Sequence, residues 1–383
     1  MIYLDHNATT PVLPEVFDAM RPFFCDQFGN ASSFYTTARA VRAALQGARH
    51  TVASAIGAAA EEIIFTASGT ESDNLALRGI CRMFQGKSCH IITSSVEHHA
   101  VSKTCDDLET QGITVTRLAV DSQGRVDPDD LRRSITPSTI LISIMTANNE
   151  TGVLQPVKKI SDIARDRGIL FHTDAVQAFG KIPLKVNDLG ADLVTVSAHK
   201  IYGPKGVGAL YIRKGTKVAP LITGGEHEHG MRAGTENIPA IVGFAKAAEL
   251  ATASLETIAA RTGSLRDRFE SKVREKIDNV SINGVDAARV PNTTNITFHD
   301  IDGESALLHL DLRGIYASTG SACATGSSEP SHVLCAMGLS KIDAQGTLRF
   351  SLGKGTTEEE IDSTVEALVA TVETLRGISS IHV

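Results

Sequence analysis

Nothing in the sequence marks a membrane span, a secreted scaffold or a nucleic-acid surface. No apolar run approaches the roughly 18 residues that a membrane helix needs, so no transmembrane segment is expected. The opening Met1-Ile2-Tyr3-Leu4-Asp5-His6-Asn7 has neither a basic nor an apolar stretch, and no secretory leader is read there. Basic residues are not in surplus: 37 Lys and Arg against 44 Asp and Glu leave a formal charge of -7. Direct nucleic-acid binding, which needs clustered cations, is therefore not expected. Six cysteines (25, 81, 89, 105, 323 and 335) contain no C-x-x-C pair, so a zinc ribbon, a thioredoxin-like motif and a disulfide framework all lack support. No metal site is expected. There is no internal repeat, low-complexity tract or Pro-rich linker. The expectation is a cytoplasmic protein.

What is present reads as an ordinary globular chain, 42% hydrophobic and long enough at 383 residues for two domains. Short apolar runs at 62–65, 90–93, 139–144, 169–172 and 193–196 alternate with helical patterns at 71–85, 98–111 and 156–168. Several runs are continuously apolar, as strands buried on both faces of a mostly parallel sheet are. That alternation predicts an α/β fold with flanking helices. Beyond about 245 the pattern changes to one long helix over 240–278, strands at 294–298 and 347–351, and a helix at 303–313. A last helix opens on the capping box Thr357-Glu358-Glu359-Glu360 and is predicted to close at Gly377.

Three segments carry chemistry. Phe65-Thr66-Ala67-Ser68-Gly69-Thr70-Glu71 ends a strand in a small-residue turn that opens a helix. Free N–H groups there, with the Thr70 hydroxyl, make a phosphate cup, although such turns are usually plain caps. Asp174, in Phe171-His172-Thr173-Asp174, stands at the C-terminal end of a buried strand, where open α/β sheets bind ligands; a helix cap is the bland alternative. Lys200, in Ser197-Ala198-His199-Lys200, follows the next strand and precedes a Gly-rich turn. A lysine is ordinarily solvated, but in a pocket it forms Schiff bases. Taken together they suit pyridoxal phosphate (PLP): lysine to the aldehyde, acid to the ring nitrogen, helix N-terminus to the phosphate. A carboxylate ~4 Å from that nitrogen is worth roughly 4 kcal/mol at an effective dielectric near 20, on the order of three pK units.

Along almost the entire chain the sequence resembles the class I (NifS/IscS-like) cysteine desulfurases, within the fold-type I, aspartate-aminotransferase-like PLP enzymes. The motifs are Tyr3-Leu4-Asp5-His6-Asn7-Ala8-Thr9-Thr10-Pro11, Phe28-Gly29-Asn30, Glu97-His98, Asn148-Asn149-Glu150-Thr151-Gly152, Ser197 to Gly206, Met231 to Asn237, Ser318 to Cys323 and Leu348 to Gly353. The resemblance implies that Lys200 bears the cofactor and moves protons, that Asp174 faces the ring nitrogen, and that Gln177 hydrogen-bonds the ring hydroxyl. It implies that His98 stacks on the ring and serves as acid or base. Gly69, Thr70, Ser197 and His199 hold the phosphate, joined by Thr235 of the neighbouring subunit in a homodimer. Asn149 and Arg349 receive the substrate carboxylate. Cys323 becomes the nucleophile that takes sulfur from L-cysteine and passes it to an acceptor or iron–sulfur scaffold protein; tRNA thiolation and DNA phosphorothioation remain open as destinations. Its surroundings, Ser318-Thr319-Gly320-Ser321-Ala322-Cys323-Ala324-Thr325-Gly326, are small and polar and favour a mobile loop. The other five cysteines are expected in apolar helical surroundings. Residues 15–250 are expected as a large cofactor-binding domain, with 1–14 and 251–383 as a small α+β domain carrying the cysteine loop.

Two departures from the family pattern stand out. Ala31 occupies a position usually held by Pro, and Gly224-Gly225-Glu226-His227-Glu228-His229-Gly230 replaces a more Gly-rich run before Thr235. Rival readings are another fold-type I PLP enzyme, such as an aminotransferase or a selenocysteine lyase, and a non-catalytic carrier that kept the fold.

Overall fold

A computed structural model describes residues 1–319 and 329–379. Seven strands form the central sheet, in the order Ile63–Thr66, Gly208–Ile212, Leu193–Ser197, Leu170–Asp174, Thr139–Ser143, His90–Ser94, Thr114–Leu118. Only Gly208–Ile212 runs against the rest. Of the runs read as apolar, Ile63–Thr66, His90–Ser94 and Leu193–Ser197 are buried along their whole length, while Thr139–Ser143 and Leu170–Asp174 each keep one half-buried residue. The outer strand Thr114–Leu118 is largely uncovered. Helices Gly69–Met83, His99–Thr110 and Val157–Asp166 supply the crossovers, and the mostly parallel α/β class holds.

A second sheet is antiparallel, in the order Ser318–Thr319, Thr347–Ser351, Thr293–Phe298, Val280–Ile282. Its apolar cluster joins Leu265, Phe269 and Val273 to Phe350, Leu368 and Val372, and Leu4 of the N-terminal segment packs with them. The chain start is tied there by Ile2–Tyr3, parallel to Ile315–Tyr316, and by an Asp5–Ser351 bridge. The segment then crosses to the large sheet, where the Thr10 N–H donates to the His199 carbonyl.

Two helical expectations need correction. The stretch 240–278 is two helices, Ile238–Ala253 and Leu255–Lys276, bent by 72° at Ser254. The Ser254 hydroxyl donates back to Leu250 O at 2.8 Å and caps the first. The final helix, Glu358–Ser379, runs past Gly377, because one glycine costs a helix only about 1 kcal/mol. Its capping box forms as read: Glu360 N–H donates to Thr357 Oγ1 at 3.2 Å and Thr357 N–H to Glu360 Oε2 at 3.1 Å. Cys81, Cys105 and Cys335 lie in helices against apolar clusters as expected, whereas Cys25 is exposed and Cys89 immediately precedes a strand. Among the described residues no single helix is long and apolar enough to cross a membrane.

Candidate active site

The C-terminal ends of the parallel strands open into a cavity of about 310 Å³. Ten residues singled out from sequence line it, from Gly69 and Thr70 to Lys200 and Arg349. Each arrives by its own local logic. Strand Ile63–Thr66 ends at Ser68, whose Oγ accepts from Glu71 N–H at 3.0 Å and starts the helix Gly69–Met83. Gly69 and Thr70 open the helix, where N–H groups lack an intrahelical acceptor, and both residues line the cavity. A methyl at Gly69 would sit 2.9 Å from Val176 Cγ2, so the close approach requires glycine. Ser197 ends its strand beside this turn, and its buried Oγ has no hydrogen-bond partner.

Asp174 ends the neighbouring strand, with Val176 N–H donating to its Oδ1 at 2.9 Å. Burial raises its pKa to about 6, while the Val176 N–H and the Lys200 charge pull the other way. Lys200 lies one strand over and donates from Nζ to Asn7 O at 2.5 Å and Ala8 O at 2.6 Å. His98 caps the helix His99–Thr110, its Nδ1 accepting from Ala100 N–H at 3.1 Å, which leaves the ring proton on Nε2. Burial first, then Lys200 and the neighbouring histidines, lower its pKa to about 4, so the ring is neutral at pH 7. His199, also lowered to about 4 by burial first, meets Thr9 Oγ1 at 3.2 Å.

Arg349 comes from the second sheet and is 3% exposed. One arm donates to Asp5 Oδ1 at 2.7 Å and the other to Asn149 O at 3.2 Å. Its Nε and the Asn149 Oδ1 are buried without partners. Arg349 Nε and Ser197 Oγ are unmet donors that a carboxylate and a phosphate would complete, whereas Asn149 Oδ1 is an acceptor that needs an N–H or O–H. The residues therefore fit a phosphate-bearing pyridine aldehyde and an amino-acid substrate.

Two sequence-derived residues stand apart. Thr235 is exposed and does not line the cavity of its own chain. Cys323 lies outside the described residues.

The opening motif, Tyr3 to Pro11, is itself part of the site. Asn7 joins four parts of the site: its carbonyl accepts from Lys200 and from Gln177 Nε2 (3.0 Å), its Oδ1 from Lys181 (2.8 Å), and its Nδ2 donates to Asn149 O (3.2 Å). Asp5 holds the arm of Arg349, and Asp73, 1% exposed, adds a second acid to the cavity wall. A cluster of polar residues in an otherwise strand-like start was the one available signal.

This combination of a doubly wound sheet, a strand-end lysine and acid, and a small-residue turn opening a helix defines the class, and the aminotransferase class-V family profile matches residues 2–364. The chain belongs to that family. It is 51% identical to the cysteine desulfurase IscS of Dictyoglomus turgidum over 99% of this chain and 96% of that one. A solved NifS-like protein superposes with a TM-score of 0.92 at 38% identity, covering 98% of this chain and 100% of the other. A structure of SspA in complex with cysteine gives 0.83 at 38% identity, covering 93% and 100%.

Proposed function

We propose that the protein is a PLP-dependent cysteine desulfurase that removes sulfur from L-cysteine, releases L-alanine and leaves a persulfide on Cys323. The reading is carried by the convergence of Lys200, Asp174 and Arg349 on one cavity whose polar atoms await an anion. The identity to desulfurases along nearly the full chain supports the reaction class.

When bound, PLP supplies an electron sink in which a carbanion at the substrate Cα is delocalised. The chain's own residues do the rest. Gly69, Thr70, Ser197 and His199 hold the phosphate, and Thr235 of a partner subunit closes it. Asp174 offers its carboxylate to the ring nitrogen, and an ion pair there brings its proton affinity back down. Arg349 and Asn149 orient the substrate by its carboxylate. Lys200 takes the Cα proton and returns a proton during turnover; the carbonyls of Asn7 and Ala8 give its amine a resting place. The Cys323 thiolate attacks the substrate sulfur. An S–S bond forms, the Cβ–S bond breaks with its electron pair left on Cβ, and a proton there completes alanine. A free thiol near pKa 8.5 is only a few per cent ionised at neutral pH, so the substrate or neutral His98 takes its proton. The persulfide then passes to an acceptor protein for iron–sulfur assembly or another thio-modification, in the cytoplasm.

Incubation with labelled L-cysteine followed by mass spectrometry tests this. The parent should carry the label as one extra sulfur on the peptide containing Cys323. Cys323→Ala should stay yellow and form no persulfide. Release of sulfide from cysteine by that variant at the parent rate would remove Cys323 from the mechanism.

A further inference from the structure

Lys181 is a half-buried lysine that none of the roles above uses. It sits four residues after Gln177 and donates from Nζ to Gln177 Oε1 at 2.6 Å and Asn7 Oδ1 at 2.8 Å. Both amide orientations are fixed independently of the lysine. Gln177 Nε2 faces the Asn7 carbonyl and Asn7 Nδ2 faces the Asn149 carbonyl, and a carbonyl can only accept. The two side-chain oxygens therefore have to face Lys181, whose Nζ donates to both.

No carboxylate pairs with Lys181 among the described residues. The charged groups that act on it are Lys200 and Arg349, both cations, and His6, itself kept neutral by burial and by Lys181. Asp5 is engaged by Arg349. Asp174 stands across the cavity on Lys200's side. On its other flank Lys181 meets a mainly apolar cavity of about 60 Å³ walled by Leu250, Ala251 and Ile258, which brings no counter-charge. Burial first, then the charges of Lys200 and Arg349, lower the Lys181 pKa well below its ordinary value, so its ammonium is favoured only once an anion arrives beside it.

We propose that Lys181 is a positioning residue for the cofactor's ring oxygen: it holds Gln177 Oε1 so that Nε2–H is presented to that oxygen, and it supplies the missing counter-charge one amide away. The inference rests on the PLP reading above. It makes the cofactor's oxygen a better anion and disfavours a proton on the adjoining Lys200–cofactor imine. The sign is set by Coulomb's law, since a nearby cation opposes protonation.

The test is a pH titration of the visible absorbance of the full-length, PLP-loaded protein. Relative to the parent, Lys181→Met should raise the imine pKa by about one unit. Lys181→Gln keeps a donor for Gln177 without the charge and should show the same rise, which covers the case where the Met variant fails to fold. Lys181→Arg should return the pKa to within a few tenths of the parent. A merely structural lysine would lower the melting temperature and leave the absorbance titration unmoved. Met and Gln variants that titrate like the parent overturn the inference while the cofactor reading survives. A parent that takes up no PLP and shows no visible band overturns both.

Discussion

Two buried acids stand next to cavity residues, Glu97 beside His98 and Glu150 beside Asn149. Burial raises Glu150 to about 7 and Glu97 to about 8, although hydrogen bonds to each resist the shift. Glu97, beside His98, accepts from Ser94 Oγ at 2.5 Å and from Met145 N–H at 3.1 Å. Glu150 takes a short hydrogen bond from Ser331, which begins the chain's return from the segment bearing Cys323. Raised carboxylate values have a definite consequence for stability. The folded state binds the Glu97 proton more tightly than the unfolded state does, so this contribution is full below about pH 4.5 and is lost as pH rises towards 8. The slope approaches about 1.4 kcal/mol per pH unit inside that window. Glu97→Gln removes the titration and keeps an acceptor for Met145. Denaturation of the cofactor-free protein at pH 5, 6.5 and 8 should show the difference between parent and variant changing by several kcal/mol in the variant's favour. A constant difference across the three pH values would mean that Glu97 is ionised in the fold.

The strand Gly208–Ile212 is the only antiparallel member of the large sheet, and it sets the position of the phosphate turn. It pairs Gly208 with Thr66 on one side and with Ser197 on the other. A methyl on Gly208 would lie 2.6 Å from the Ser68 carbonyl carbon and 2.9 Å from Gly69 N, both backbone atoms that cannot swing aside. Gly208→Ala should therefore displace the turn, weaken PLP binding at least about 10-fold and leave far-UV dichroism unchanged; fluorescence titration of the apo protein with PLP reads the affinity. An unaltered affinity would show that the turn can give without cost. The strands and crossovers were legible because burial on both faces writes itself as continuous apolar runs. The break at Ser254 was not, because apolar positions continue across it and the cap depends on a hydroxyl bonding its own backbone. Asn7 and Asp5 were illegible for a different reason. Their partners lie as far as 344 residues away, as in the Asp5–Arg349 pair, and no local pattern encodes such a meeting. Strand-end residues such as Asp174 and Lys200 were readable because an α/β sheet delivers strand ends to one place whatever the loops do.

The exposure of Thr235 bears on how many chains build one site. Its segment is held against its own chain at two points. Arg49 and Glu228 form a buried two-armed pair, and Glu228 also accepts from Phe65 N–H at 2.7 Å. Arg232 reaches Glu71 at 2.8 Å on the helix that follows the phosphate turn. Glu228 and His229 both adopt left-handed backbone, at φ 49° and 59°, a strain that the buried pair offsets. Thr235 is thus presented outward by a braced loop, and a second copy of the chain would receive it. Complementation distinguishes a shared phosphate site from a private one. A Lys200→Ala chain has an intact Thr235 but cannot turn over, and a Thr235→Ala chain has Lys200 but a weakened phosphate grip. Coexpressed with different tags and purified as the mixed pair, they would form, if the phosphate site is shared, one site in which Lys200 of one chain meets the Thr235 of the other. At PLP concentrations too low to fill Thr235→Ala alone, that mixed pair should desulfurate cysteine at about half the parent rate per dimer. If instead it works no better than Thr235→Ala diluted twofold, each chain completes its own phosphate site and the threonine has no role across an interface.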